Sequence, residues 1–121
     1  MGNENQKESE EFIFGLRIMW IDTNSPLKNK VELYQDFIRS INEETNLRPT
    51  NLPNIEQRLK NAHTCNLKVY NFIKDTTREI SVKIDVNEDF LNLNSILGIK
   101  YKCEELEVTN SKILKVVSGK I

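Results

Sequence analysis

The chain is poor in the residues that define several common protein classes. Its 121 residues include only two cysteines, Cys65 and Cys103, too few for the disulfide framework of a small secreted domain. The glycines are scattered, so no phosphate-binding loop is predicted. The apolar stretch Phe12–Ile21 is interrupted by Gly15 and Arg17 and is too short to span a bilayer. We therefore expect an intracellular protein that has no membrane segment.

The charges nearly balance, giving a formal net charge of −1. Such a molecule has no strong overall field that would steer it onto nucleic acid, so any RNA contact must be local. Acidic residues are concentrated before position 12, and residues 1–10 are predicted to form a flexible acidic arm. Residues 11–121 are predicted to form a single domain.

The segment Phe12–Ile21 is predicted to be the first strand. Apolar residues occupy every second position from Phe12 to Trp20, which is the period of a strand, although a helix remains an alternative. The intervening positions are also largely apolar. Both faces of this strand therefore need cover, and one of them is a candidate partner surface.

Two helices are predicted before the next strand. Ser25 and Pro26 form a helix start, and apolar residues recur behind them at helical spacing up to about Asn42. A second, shorter helix is predicted over residues 51–62, entered through Pro53. It is treated as an insertion before the second strand.

The remaining elements complete the predicted order strand, helix, strand, strand, helix, strand. Strands are predicted over residues 65–73 and 79–86, followed by a helix capped by Asn87 and ended by Gly98. Residues 99–103 and 112–117 are both strand-like, and either could be the fourth strand. The predicted fold class is α+β, a ferredoxin-like (RRM-like) βαββαβ sandwich with an inserted short helix and a C-terminal strand extension.

The first strand of the central hairpin carries alternating lysines and aromatics, at Lys68, Tyr70, Phe72 and Lys74. In RNA-recognition modules, rings at alternate positions stack on bases and lysines contact phosphates. Val69 stands where that motif has glycine. The alternative is that the two rings pack beneath a helix or against another protein.

No catalytic or metal-binding constellation is predicted. His63, Cys65 and Cys103 lack the paired spacing of a zinc site, and one histidine without an orienting partner does not indicate a Cys–His nucleophile. The acidic residues that open a calcium-like loop at Asp85 are not followed by the required glycine, since Phe90 stands there. No cofactor is expected.

Taken whole, the sequence resembles the small RRM-like Pop/Rpp protein subunits of ribonuclease P and ribonuclease MRP. The resemblance rests on the acidic-aromatic opening Ser9–Phe12, the hairpin Leu67–Ile84, the helix Glu88–Leu97 and the closing strand Ile113–Ile121. Lys120 replaces a threonine of the larger member of this family. That difference, the acidic start and the end of the chain at this point indicate the smaller paralogue.

The resemblance implies a non-catalytic subunit that pairs with a paralogous protein, while the RNA component cuts the 5′ leader from precursor tRNA. It implies a nuclear, nucleolar location, contact with the large RNA that is direct or indirect, and no membrane partner. The lysines expected to neutralise RNA phosphates are Lys68, Lys74, Lys83, Lys112, Lys115 and Lys120. The residues expected at the partner interface are Phe14, Trp20, Tyr70, Phe72, Val117 and Gly119.

Two other functions fit the same residues. One is a free-standing RRM-like module that binds single-stranded RNA, and the other is a protein-interaction domain unrelated to RNA. Loss of RNA affinity on replacing Tyr70 and Phe72 by alanine would favour the first of these two.

Overall fold

The computed structural model describes residues 11–84, 92–109 and 112–116, with side chains described for 13–84 and 92–106. Within these ranges strands predominate over helices. The elements, in chain order, are β1 (Glu11–Ile21), β2 (Asp36–Ile41), a 3₁₀ turn (Pro49–Asn51), α1 (Leu52–Leu59), β3 (Thr64–Asn71), β4 (Thr76–Lys83), α2 (Leu93–Leu97), β5 (Ile99–Thr109) and β6 (Lys112–Val116).

The strands form one antiparallel sheet in the order β4-β3-β2-β1-β5-β6. The first four strands follow each other in space as they do in sequence. The chain then crosses to the other side of β1, where β5 makes the longest ladder of the sheet. The two central strands of the sheet are therefore β2 and β1.

One face of the sheet, called here the core face, carries the hydrophobic core. Leu16 and Ile18 of β1 are fully buried there, and both described helices pack on this face. The core residues are Leu16, Ile18, Ile38, Ile41, Leu67 and Val69 from the strands, Leu52, Ile55 and Leu59 from α1, and Leu93, Ile96 and Leu97 from α2. A hydrogen bond joins the helices, since the Leu93 N–H donates to Glu56 Oε2 at 2.9 Å.

β-bulges interrupt the alternation of β1 and β2. In β1 the register shifts between Ile18 and Trp20, so that Ile18 and Ile21 both contact the core and Trp20 is turned away from it. In β2 the register shifts between Ile38 and Ser40, and Ile38 and Ile41 share the core face. A bulge adds one residue, so positions three apart point the same way.

The helix predicted from Pro26 to Asn42 is wrong. The chain there runs through successive turns and then enters β2. Ser25 caps a turn instead of a helix: its hydroxyl accepts from the Leu27 N–H at 2.9 Å and donates to the Leu97 carbonyl at 2.6 Å. Asn29 has a φ of 66°, which ends any helical path.

Each of the other predicted strands and helices has a counterpart in the described residues. α1 forms inside the predicted segment 51–62, the central hairpin forms as β3 and β4, and both late candidate strands join the sheet as β5 and β6. Gly98 ends α2 with a φ of 64°, in the left-handed conformation that glycine adopts most readily. The helix predicted from Asn87 to Leu97 starts later than predicted: Asn92 is extended and caps α2, its side chain accepting from the Ser95 N–H at 2.8 Å. Asn87 itself and the acidic arm lie outside the described residues.

A buried polar cluster fixes the turn segment to the sheet. Asp36 is fully buried and accepts hydrogen bonds from the Arg78 guanidinium, from Asn71 Nδ2 at 2.9 Å and from the Glu32 N–H at 2.7 Å. The Arg78 Nη2 also donates to the Lys30 carbonyl at 2.8 Å. Because each Asp36 oxygen has partners, the cost of burying this carboxylate is offset.

The fold is thus a mixed α+β structure built on an antiparallel sheet, as predicted at that level. The predicted βαββαβ order is not what the described residues show, because β2 stands in place of the first helix and lies between β1 and β3. No helix in the described part of the chain combines the length and apolar character needed to cross a bilayer.

Candidate binding surface

The face opposite the core, called here the second face, carries a row of side chains across five strands. The register of the ladders aligns them, since each member is paired with the next. From one side of the sheet to the other the row is Thr77, Tyr70, Phe37, Arg17 and Lys102. Both described helices pack on the core face, so neither of them covers this row.

The centre of the row is closed by its own side chains. Phe37 is fully buried, and its ring meets that of Phe72 edge to face, with centroids 5.9 Å apart. The Arg17 guanidinium lies over both rings, 4.9 Å from the Phe37 centroid and 5.4 Å from that of Phe72. Such cation–π contacts hold a flat cationic side chain against the rings. The second face is therefore not a bare apolar platform at its centre.

Arg17 also forms an ion pair with β5. Its Nη2 lies 3.2 Å from Glu104 Oε1, and Lys102 Nζ lies 3.6 Å from Glu104 Oε2. Glu104 is almost fully buried, and neither its Oε1 nor the Arg17 Nε has a well-directed hydrogen bond among the described residues. The pair neutralises charge at the sheet centre without satisfying every polar atom.

Gly15 makes room for this arrangement. A Cβ at this position would lie 3.0 Å from Leu106 Cδ1 and 3.3 Å from Phe37 Cδ2. The absence of a side chain lets the buried Leu106 and Phe37 approach from the neighbouring strands.

Tyr70 is not exposed, although it was predicted to present its ring for stacking or for a partner. It is only 5% exposed, and its hydroxyl donates to Asp75 Oδ1 at 2.8 Å. Burial, and then the hydrogen bond to Asp75, raise the pKa of Tyr70 to about 12. The ring lies beside Phe37 on the second face, so within the described residues it does not pack beneath a helix.

Phe14 is also unsuited to be an exposed anchor. Its ring packs against the core and is covered by Arg48, whose guanidinium lies 5.3 Å from the ring centroid. Phe72 keeps 37% of its surface and Trp20 keeps 45%. Lys100 Nζ lies 5.2 Å from the centroid of Trp20. Phe72 and Trp20, both predicted at the partner interface, therefore lie on the surface.

The predicted RNA-binding lysines fall into separate places. Lys68 and Lys83 are exposed on the second face, whereas Lys74 lies in the turn after β3 and pairs with Glu32 at 3.3 Å. Lys112 and Lys115 belong to β6, but their side chains are not among the described ones. The predicted residues Lys120, Val117 and Gly119 lie outside the described residues.

The sequence interpretation missed Arg17, Lys100 and Lys102 as members of this surface. The signal for Arg17 was present, because it occupies the alternate face of β1. The signal for Lys100 was hidden, because only the bulge in β1 brings Trp20 beside it.

The other titratable side chains that the sequence singled out are spread through the fold. Cys65 is buried in the core, where burial raises the pKa of its thiol to about 11. Cys103 donates to the Leu47 carbonyl at 3.3 Å, and His63 is exposed. In the described ranges, no three or more His, Cys, Asp or Glu side chains lie together where they could hold a metal ion.

Comparison with known proteins assigns no family. No protein-family model matches the chain, and no curated protein sequence matches it significantly.

Proposed function

We propose that the protein is a non-catalytic subunit of a ribonucleoprotein particle, and that this particle is ribonuclease P or ribonuclease MRP. In it the RNA component cuts precursor tRNA, and this chain pairs with a paralogous protein subunit in the nucleolus. The particular particle comes from the sequence resemblance. The surface chemistry supports the more general part of the proposal, which is contact with RNA.

The supporting observation is that exposed lysines and an exposed ring occur on the side of the sheet away from the core, at separate places along it. Lys68 and Lys83 lie on the second face, and Lys100 lies beside Trp20 at the end of β1. Lysines neutralise phosphates and aromatic rings stack on bases, so the two together suit RNA. A subunit held mainly by protein contacts does not need a basic net charge, which agrees with the balance of charges in this chain.

The ferredoxin-like relation is part of the same proposal. If β2 is an added strand, then β1, α1, β3, β4, α2 and β5 follow the βαββαβ order along the chain. The proposed ferredoxin-like relation concerns only the order of the elements along the chain. It does not extend to the order of the strands in the sheet, because β2 lies directly beside β1 there.

Affinity purification of the tagged chain, with sequencing of the bound RNA and mass spectrometry of the bound proteins, tests the proposal. We expect enrichment of a ribonuclease P or MRP RNA together with a Pop/Rpp protein. Replacing Lys68 and Lys83 by alanine should lower RNA recovery. The matched change Lys60→Ala, at the end of α1 on the core side, should not. Recovery of neither a structured RNA nor a Pop/Rpp protein would overturn the proposal.

A protein-interaction domain unrelated to RNA is the second candidate. Two exposed aliphatic residues, Leu33 and Ile73, favour it, because aliphatic side chains suit a protein interface better than base stacking. The same purification distinguishes the two functions. A protein partner that is recovered in the same yield after nuclease treatment, with no bound RNA, would support this second function.

A further inference from the structure

The strand β4 forms one edge of the sheet. Among the described strands it pairs only with β3, and this ladder has no register shift, whereas the β1–β5, β2–β3 and β5–β6 ladders each contain one. β4 also contains no proline. Bulges and prolines keep an edge strand from pairing with another chain, as charged side chains do when like charges meet. In the described residues, the β4 edge is therefore regular and able to accept a further strand.

The hydrogen bonds of the ladder show which backbone groups of β4 point outward. The Ile84 N–H donates to the His63 carbonyl at 3.0 Å, and this pair continues the register in which Lys83 lies opposite Thr64. Bonded pairs alternate along an antiparallel ladder, so the even-numbered residues of β4 bond to β3. The N–H and C=O groups that point away from β3 belong to the odd-numbered residues Thr77, Glu79, Ser81 and Lys83.

The same odd-numbered residues have exposed side chains on the second face. Glu79 and Lys83 carry opposite charges, and in the part of the chain that the structure describes neither of them forms an ion pair. Lys68 lies opposite Glu79 on β3, and Asp22 lines a cleft with Lys83, but both are beyond ion-pair distance. Each charge on the β4 edge is therefore able to take a partner from another molecule.

The positions of these charges make the β4 edge complementary to itself. Two antiparallel β4 strands are related by a two-fold axis, and their outward-pointing residues must face each other. If the axis passes through Ser81, Glu79 of each copy lies opposite Lys83 of the other, and Ile80 lies opposite Val82. An axis through Glu79 would place two carboxylates opposite each other, and an axis through Ile80 would place Glu79 opposite Ser81. Opposite charges stabilise a cross-strand pair and like charges destabilise it, so the axis through Ser81 is favoured.

We propose that two copies of this chain pair antiparallel through their β4 edges, with the two-fold axis at Ser81, so that the sheet continues from one copy into the other. Two Glu79–Lys83 ion pairs then lie on the second face. On the core face the partly buried Ile80 gains contact with Val82 of the other copy. A strand of another protein could use the same backbone groups, but the self-complementary charges favour a second copy. The inference goes beyond the proposed function and does not depend on it.

Sedimentation velocity of the full chain at increasing concentration tests the inference. We expect a reversible dimer that added salt weakens. Glu79→Lys and Lys83→Glu each place like charges opposite each other, and each should weaken self-association by at least about tenfold. The control Lys100→Glu makes the same charge change as Lys83→Glu at an exposed position in β5, which β3, β2 and β1 separate from β4. It should leave self-association within about twofold of the parent.

A mixture of the two charge variants gives a sharper test of the register. When Glu79→Lys pairs with Lys83→Glu, opposite charges face each other again at both positions. The mixture should therefore form a heterodimer, although each variant alone associates weakly. Lys100→Glu has the same net charge as Lys83→Glu, and its pairing with Glu79→Lys should be at least about tenfold weaker.

Ser81→Pro tests the backbone hydrogen bonds independently of charge. It removes an N–H that points outward and spares the bonds to β3, so the chain should fold and its self-association should weaken.

Four results would overturn the inference. The first is a chain that stays monomeric at every concentration. The second is unchanged self-association in folded Glu79→Lys and Lys83→Glu, which would indicate another surface, such as the exposed ring of Trp20 or Phe72. The third is a mixture of the charge variants that does not pair. The fourth is a chain that is monomeric alone but binds a different protein, with that binding lost in Ser81→Pro, which would show that β4 receives a strand of another protein.

Discussion

The two faces of the sheet bury their residues by different means. On the core face, helices cover aliphatic residues such as Leu16 and Ile18. On the second face, Phe37 is equally buried, but its cover comes from Arg17 and Phe72. The side chains of the second face close its centre, and the exposed rings remain at the sheet end. In the described residues, the exposed large hydrophobic side chains therefore lie at the end of the sheet more than in the middle of a face.

The largest loss of stability among the variants that test this comparison is expected from a substitution on the core face. Leu16→Ala removes a fully buried side chain beneath the helices and leaves a cavity that the packed core cannot fill by relaxing. We expect the free energy of unfolding in urea to fall by about 3 to 4 kcal/mol. The control Ile73→Ala, at a highly exposed position, should change it by less than about 0.5 kcal/mol. A loss below about 1 kcal/mol for Leu16→Ala would mean that the core face is not closely packed.

The next effect concerns the buried carboxylate at the edge of the core. Asp36→Ala leaves the Glu32 N–H without its acceptor and removes the closer of the two acceptors of Asn71 Nδ2, while Arg78 can still reach solvent. We expect a loss of about 2 to 3 kcal/mol, measured by urea unfolding.

The surface pair Lys74–Glu32 is the matched control for Asp36. It joins two exposed side chains, so Lys74→Ala should cost less than about 1 kcal/mol, and less still at high salt. Equal losses for Asp36→Ala and Lys74→Ala would contradict the structural role assigned to the buried cluster.

Gly15→Ala tests how tightly the second face is filled. Its new methyl group would press on Leu106 and Phe37, and we expect a loss of about 1 to 2 kcal/mol although alanine is otherwise the better strand residue. Shortening the neighbour in the double variant Gly15→Ala, Leu106→Val should recover part of that loss relative to the sum of the single changes. Additive losses in this thermodynamic cycle would show that the two side chains do not compete for space.

The same local features explain what the sequence could and could not predict. In the segment 26–42, Ile38 and Ile41 are three positions apart and both are buried, which is typical of a helix. The bulge in β2 produces the same spacing in a strand. Propensity and period cannot separate these cases, because the bulge is set by pairing with β3, which is distant in sequence.

The surface was partly predictable for a related reason. Strict alternation correctly gives exposure at Lys68. Trp20, which was predicted at a partner interface, is exposed although alternation placed it with Ile18. The burial of Tyr70 depends on β2 carrying Phe37 beside it, and β2 was predicted to be helix. Once that strand was missing from the prediction, the neighbours of Tyr70 could not be known.

The smallest expected effect decides whether the second face is closed at Tyr70. Tyr70→Phe removes the hydrogen bond to Asp75 and should cost about 1 kcal/mol at neutral pH. In the parent, the folded-state pKa of about 12 exceeds the ordinary value of 10.0. The unfolded chain therefore loses the proton first, and stability should fall as the pH rises between those two values.

The phenylalanine variant has no ionisable group at this position, so the difference in unfolding free energy between parent and variant should shrink across that pH range. All other groups titrate alike in the two proteins and cancel in this difference. The difference in tyrosinate absorbance between the parent and Tyr70→Phe measures the same pKa, because Tyr34 and Tyr101 are present in both proteins. A Tyr70 that titrates near 10.0 would show that solvent reaches its ring. The middle of the second face would then be open to the bases of an RNA. The contrast between the closed centre of this face and the exposed end of the sheet would not hold.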